Sequence, residues 1–321
     1  MTAARAWQDW SLLLALTVMW GSAFALTKTA LEAMAPAPLV LARLAIGAAL
    51  LIAWWLIARR ARVPRGARLW VFFFLIAIIG NLVPFNLISW GQQYLDSGLA
   101  GLLMAVMPLF VLVIGHFTVP GERLTPARVT GFVVGLLGVA VLLGPDIAVT
   151  DGAGSRFVAA TLAVLLAALC YAVSAILSRL RPASDVLSSA TATTLIGAIA
   201  MLMVLRPEMP ALTGLVDAPV AIVAVALLGV FSTAIAALVY FHLIERAGPA
   251  FVSQLNYLIP VWAVVLGALL FGERPTPSDY LAMAIILAGI ALSQRGRMVP
   301  ARQPAPPRLP DARLGKAHQL Q

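Results

Sequence analysis

The sequence predicts an all-α polytopic membrane protein of ten transmembrane helices, arranged as two inverted five-helix repeats. Composition, a motif written twice and the placement of basic residues carry this expectation. Of 321 residues, 62% are hydrophobic and only 11% charged, far from the balance of a soluble domain. The run from Pro108 to Pro126, PLFVLVIGHFTVPGERLTP, returns from Pro260 to Pro277 as PVWAVVLGALLFGERPTP. Aligned at Pro108 and Pro260, Gly115 meets Gly267. After one skipped residue Gly121-Glu122-Arg123 meets Gly272-Glu273-Arg274, followed by Thr125 with Thr276 and Pro126 with Pro277. A unit repeated half a chain apart in apolar sequence points to a duplicated membrane fold.

Charges and turn signals divide the chain into apolar stretches near 11–27, 38–58, 69–92, 97–119, 126–145, 157–178, 186–205, 218–244, 247–271 and 277–294. Most reach the ~20 residues that cross ~30 Å of hydrocarbon as a helix; the shortest call for local thinning or interfacial anchors. Lipid offers backbone amides no partners, so spans of this length must be helical. The alternating ten-residue strands of a membrane barrel are absent. The first stretch could be read as a cleavable signal, with Arg5 before it and Ala23-Phe24-Ala25 as a cleavage-like site. The counterpart of Trp20 to Lys28 in Tyr171 to Arg179 instead assigns it to the repeat. The expected organisation is a cytoplasmic N-terminus (1–10), a first repeat (11–145), an external connecting loop (146–156), a second repeat (157–294) and a disordered basic cytoplasmic tail (295–321). The tail carries Pro300, Pro304, Pro306, Pro307 and Pro310 among scattered arginines, a composition that neither buries nor forms helix.

With the N-terminus inside, 17 of the 22 lysines and arginines fall on the cytoplasmic side, including Arg59, Arg60, Arg62, Arg65 and Arg68. Only Lys28, Arg156, Arg206 and Arg274 fall outside, and Arg43 lies within the membrane. This bias places both termini in the cytoplasm and accounts for the net charge of +9 without a nucleic-acid partner. Five helices per copy is an odd number, so the second copy enters the membrane from the opposite side. The resulting pseudo-twofold axis in the membrane plane suits a site exposed alternately to the two faces. The partners expected are therefore a small-molecule substrate and the lipid bilayer; the oligomeric state stays open.

Cys170 is the only cysteine, which excludes an internal disulfide or a cysteine-based metal cluster. No Gly-rich phosphate loop, zinc-type His pair or Gly-x-Ser-x-Gly turn appears, so no cofactor, metal or catalytic residue is expected, and the chain is not read as an enzyme.

Candidate substrate contacts are polar or aromatic groups inside apolar spans. Arg43 costs ~2.5–3.5 kcal/mol to place there. It is read either as the anchor of a substrate carboxylate or as a structural charge bonded to helix-end carbonyls or Glu32. The third span carries Asn81, Pro84, Asn86, Ser89, Trp90, Gln92 and Gln93. Asn81, Ser89 and Gln92 share one broad face, which either lines a cavity or bonds neighbouring helices. In the ninth span Gln254 and Tyr257 share a face beside Asn256, where the fourth span has Met104 and Ala105. Trp20 and Tyr171 occupy equivalent repeat positions, with Ser22 close by, and serve as ligands or as packing. Pro84, Pro108 and Pro260 are hinge candidates, because proline leaves a carbonyl unpaired. Gly131, Gly135, Gly138 and Gly289 are expected to permit close helix contact. Every Asp and Glu lies near a span end, and His116 and His242 lie toward cytoplasmic ends, so no embedded proton carrier stands out.

Trp20-Gly21-Ser22, Leu41-Ala42-Arg43-Leu44 and the twice-written Pro-to-Gly-Glu-Arg stretch resemble the drug/metabolite transporter superfamily, specifically its EamA-type ten-helix members. The resemblance spans roughly residues 10–294. It implies a central cavity shared by both halves and, in many members, efflux of small metabolites such as amino acids. The copies differ, with Thr193 near the position equivalent to Arg43, so an asymmetric pore lining is expected. The reading that follows is a bacterial inner-membrane secondary transporter exporting small polar metabolites by alternating access. Multidrug efflux, metabolite uptake and a non-transporting membrane scaffold or receptor are the alternatives.

Overall fold

A computed structural model describes residues 3–58, 64–119, 122, 124–144, 152–205 and 218–295. The expected tail and most of the connecting loop lie outside the described residues, as do Gly121 and Arg123. Among the described residues ten helices cross the molecule: α1 (Ala3–Leu31), α2 (Pro36–Ile57), α3 (Ala67–Gly91), α4 (Ser97–Thr118), α5 (Pro126–Leu143), α6 (Gly152–Leu180), α7 (Val186–Leu205), α8, α9 (Leu255–Phe271) and α10 (Pro277–Arg295). Helix α8 joins Pro219–Leu227, a π-helical Leu228–Ile235 and Ala236–Ala247. Nine are long and apolar enough to span a bilayer, and α9 is a shorter apolar helix. Leu137, Leu162, Leu269 and Leu270 project outward, as a lipid-facing surface requires.

Several boundaries depart from the expectation, α1 among them, which already starts at Ala3. Helix α6 starts at Gly152, inside the stretch read as connecting loop, because extending a formed helix costs far less than starting one. The ninth apolar stretch is broken. Gly248 takes φ 86 and a single turn, Pro249–Val252, precedes a break at Ser253 and Gln254. A left-handed glycine followed by a proline without an N–H stops a helix entering from α8. The Asn256 Nδ2 donates to the Ser253 carbonyl at 2.9 Å, and so supports the break.

The packing obeys the sequence duplication. Helix α1 of the first repeat lies against α8 and α9 of the second, and α6 of the second lies against α3 and α4 of the first. Equivalent helices pair across the axis as α2 with α7, α4 with α9 and α5 with α10. A π-helical segment at Ile78–Leu82 in α3 recurs at Leu228–Ile235 in α8, at matching places in the two repeats. Pro84 follows the first and no proline accompanies the second, so proline alone does not account for these distortions. The closest crossing joins α5 to α10. A Cβ on Gly131 would sit 2.5 Å from the Gly289 carbonyl oxygen, and one on Gly289 would sit 2.6 Å from that of Gly131.

The doubled motif has a shared structural task. The Glu273 carboxylate turns back across the repeat interface to Lys28 Nζ (2.7 Å), the Ser97 N–H (2.8 Å) and hydroxyl (2.9 Å), and the Gly98 N–H (3.0 Å). Glu122 reaches Arg179 in the same way. Gly267 leaves the space that the Glu273 carboxylate fills, and Gly115 does so for Glu122. Gly272, with φ 64, closes α9 in the left-handed region and turns the chain back.

Burial pushes the Glu273 carboxyl upward, but the hydrogen bonds from Lys28, Gly98 and Ser97 outweigh it and hold the group below its ordinary 4.5. A depressed carboxylate stabilises the fold above its unfolded value and loses that contribution as pH falls through the lower folded value. Thermal unfolding of the wild type should therefore exceed that of Glu273→Gln at neutral pH, and the gap should close as pH falls below about 4.

Candidate functional site

The repeats meet on a buried polar seam around Arg43. Helix α2 begins with Pro36 at its first turn, where the missing N–H costs nothing, and it packs against the π-helical part of α8. Gly47 faces Thr233 and Gly229 faces Ile46 and the Arg43 carbonyl, so two absent side chains let the backbones approach. That approach brings Arg43 Nε to 3.0 Å from Thr233 Oγ1, whose own hydroxyl donates to the Leu228 carbonyl at 2.9 Å. The guanidinium lies 3.8 Å from the Phe85 ring centre, a cation–π arrangement. Tyr171 packs edge-on to the same ring at 6.4 Å and lies within electrostatic reach of Arg43. Arg43 is 8% exposed. Its contacts include neither Glu32 nor a helix-end carbonyl, and no carboxylate pairs with it among the described residues. A guanidinium carries five donors. The hydroxyl of Thr233 accepts from one of them.

A second group borders the same α8 segment. Trp20 Nε1 donates to the Ser232 carbonyl at 3.2 Å, Ser232 Oγ donates to the Met19 carbonyl at 2.7 Å, and the Trp20 ring lies 5.2 Å from Tyr240. Ser22 accepts from Trp262 Nε1 at 3.0 Å. Because Ser232 and Thr233 are adjacent, the aromatic group and the Arg43 group share one irregular backbone segment.

The structure thus brings Trp20, Arg43 and Tyr171 to the repeat interface and distributes the other predicted residues differently. Asn86 donates to the Leu82 carbonyl at 2.8 Å and to Met201 Sδ at 3.4 Å, one residue from Phe85. Asn81 lies against Gly197 of α7. Ser89 is buried, and Gln92 Nε2 donates to the Phe24 carbonyl at 2.9 Å, which ties α3 to α1. Trp90 is exposed and edge-on to Tyr94, and no contact joins it to Arg43. Met104 and Tyr257 pack on a common apolar core of α4, α5, α6 and α10, while Gln254 precedes α9 and Asn256 bonds within its own turn. Of the proposed hinges, Pro84 and Pro108 start new helical segments after π and 3₁₀ turns, and Pro260 is buried inside α9. Sequence reading missed Phe85, Ser232 and Thr233. The one available signal was the Ser232-Thr233 hydroxyl pair inside an otherwise apolar run.

Two segments, residues 10–144 and 158–294, match the EamA-like transporter family. The chain belongs to that family. It is 30% identical to a probable terminal-alkyne amino-acid exporter of Streptantibioticus cattleyicolor, over 93% of this chain and 97% of that one. It is 25% identical to the uncharacterized inner membrane transporter YedA of Escherichia coli K12 (94% and 95% covered). It is 26% identical to an uncharacterized transporter of Archaeoglobus fulgidus (89% and 99%). A crystal structure 23% identical in sequence shares the fold, with a TM-score of 0.65 over 91% of this chain and 99% of the other. This EamA-like protein is accordingly a multi-pass membrane transporter of the drug/metabolite type.

Proposed function

We propose that this EamA-like transporter exports small polar metabolites bearing a carboxylate, amino acids or related compounds, across a bacterial inner membrane by alternating access between its inverted repeats. The observation that carries this reading is Arg43, a buried cation of the first repeat bonded to Thr233 of the second with no carboxylate partner among the described residues. A charge in such surroundings is costly unless a counterion joins it, and a transported carboxylate would supply one. The printed name of the Streptantibioticus relative, an amino-acid exporter, agrees with this chemistry. Met104 and Met107, which would favour drugs if they lined a cavity, pack instead on the α4–α5–α6–α10 core. The bias of basic residues sets both termini in the cytoplasm.

The test is transport by purified protein in liposomes, read as counterflow of labelled amino acids against their decarboxylated amines. Saturable movement of the carboxylates and none of the amines is expected. Equal rates for both, or no movement of any acid, would sink the proposal.

A further inference from the structure

Lys28 and Arg179 occupy the same place in the aligned repeats, and so do Glu273 and Glu122. Each acid follows the fourth helix of its own repeat, and each base ends the first helix of its own repeat. The bonds run crosswise: Glu273 of the second repeat holds Lys28 of the first, and Glu122 of the first holds Arg179 of the second. Helices that enter from opposite sides put these two contacts at opposite faces of the molecule. One arrangement therefore occurs twice, related by the pseudo-twofold axis, and it links the halves once at each face.

We propose that the two crosswise ion pairs are gate latches, Glu273–Lys28 closing one face and Glu122–Arg179 the other, and that they open in turn as the repeats exchange conformations. The proposal rests on the alternating-access reading and gives it named moving contacts. The latches are unequal. The Glu273 side chain is 5% exposed and accepts four hydrogen bonds, and Lys28 also reaches Asp96 at 3.0 Å. Glu122 has Arg179 as its carboxylate's partner among the described residues, and the Arg179 side chain is 55% exposed. The difference has a sequence cause, because Pro249 stands where the first repeat has Ser97 and has no N–H to offer. An exposed pair contributes little, whereas a buried carboxylate with backbone donors is held firmly. Of the two latches, Glu273–Lys28 is the more firmly held; on the face of Glu122–Arg179 the halves are also joined by Arg246 and the buried Asp9.

The test measures distances across each face and does not require transport. In a Cys170→Ala background, one spin-label pair replaces Glu32 and Arg274 and reports on the Lys28 face; the other replaces Thr118 and Leu180 and reports on the Arg179 face. Glu273→Gln should raise the open fraction at the Lys28 face by about tenfold and lower it at the other. Glu122→Gln should do the reverse with a smaller change. Glu273→Asp, which keeps the charge and shortens its reach, should fall between wild type and Glu273→Gln, and stands in for it should that variant not fold. No change at the Lys28 face in either Glu273 variant, or simultaneous opening of both faces, overturns the latches. Reciprocal movement in a protein that carries no amino acid would keep the latches and refute the proposed substrate.

Discussion

Arg43→Met is expected to cut transport by about 10- to 100-fold while leaving the fold at least as stable as the wild type. The reasoning is a balance of two terms. Removing a buried guanidinium that no carboxylate neutralises relieves a cost of ~2.5–3.5 kcal/mol on insertion scales. The opposing loss is one hydrogen bond to Thr233 and the stacking on Phe85, together about 2–3 kcal/mol. These nearly cancel, so the unfolding temperature in detergent should hold or rise. A substrate carboxylate has no such compensation, and a charge-assisted bond of ~1.5–3 kcal/mol corresponds to about a 10- to 100-fold fall in kcat/KM. Arg43→Lys keeps the charge but loses the planar fork and the stacking face, and should fall in between. A structural charge would give the opposite pattern, a large drop in unfolding temperature with transport retained in the surviving protein.

Gly289→Leu is expected to produce the largest loss of stability of any single substitution considered for this protein. The new Cβ alone would lie 2.6 Å from the Gly131 carbonyl oxygen and 2.9 Å from the Gly135 Cα. Both are backbone, so no rotamer change relieves the clash, and α10 must move away from α5. Overpacking commonly costs about 1–3 kcal/mol, and a clash against rigid backbone belongs at or above the top of that range. Even Gly289→Ala should destabilise measurably. Leu137→Ala, on the exposed side of α5, should change stability by less than about 0.5 kcal/mol. Thermal unfolding of the three variants in one detergent checks the ranking, and equal values for Gly289→Leu and Leu137→Ala would refute the close crossing.

Much of the architecture was readable before any coordinates. The Pro-to-Gly-Glu-Arg stretch and its copy establish a repeat, and the odd helix count inverts it. Gly131, Gly135, Gly138 and Gly289 anticipate a close crossing, which occurs between α5 and α10. The polar cluster of the third span was less transparent. Helical spacing put Asn81, Ser89 and Gln92 on one face, but Asn81 sits within the π turn at Ile78–Leu82, which breaks that regular spacing. Gln92 then serves the α1 contact and Trp90 faces outward. The ninth span was misjudged for a related reason, since Gly248-Pro249 breaks it before Gln254.

By itself, the sequence determined that ten apolar helices exist, that they form two related halves and that Arg43 is an anomaly within them. Those properties follow from hydrophobicity, charge and local repetition, all of which act along the chain. Only the tertiary structure decided what Arg43 meets, which π turns bend α3 and α8, and that Glu273 and Glu122 bond across the halves. Such contacts join residues 190 and 245 positions apart. They depend on how closely glycine faces let helices approach, a distance that no local pattern encodes.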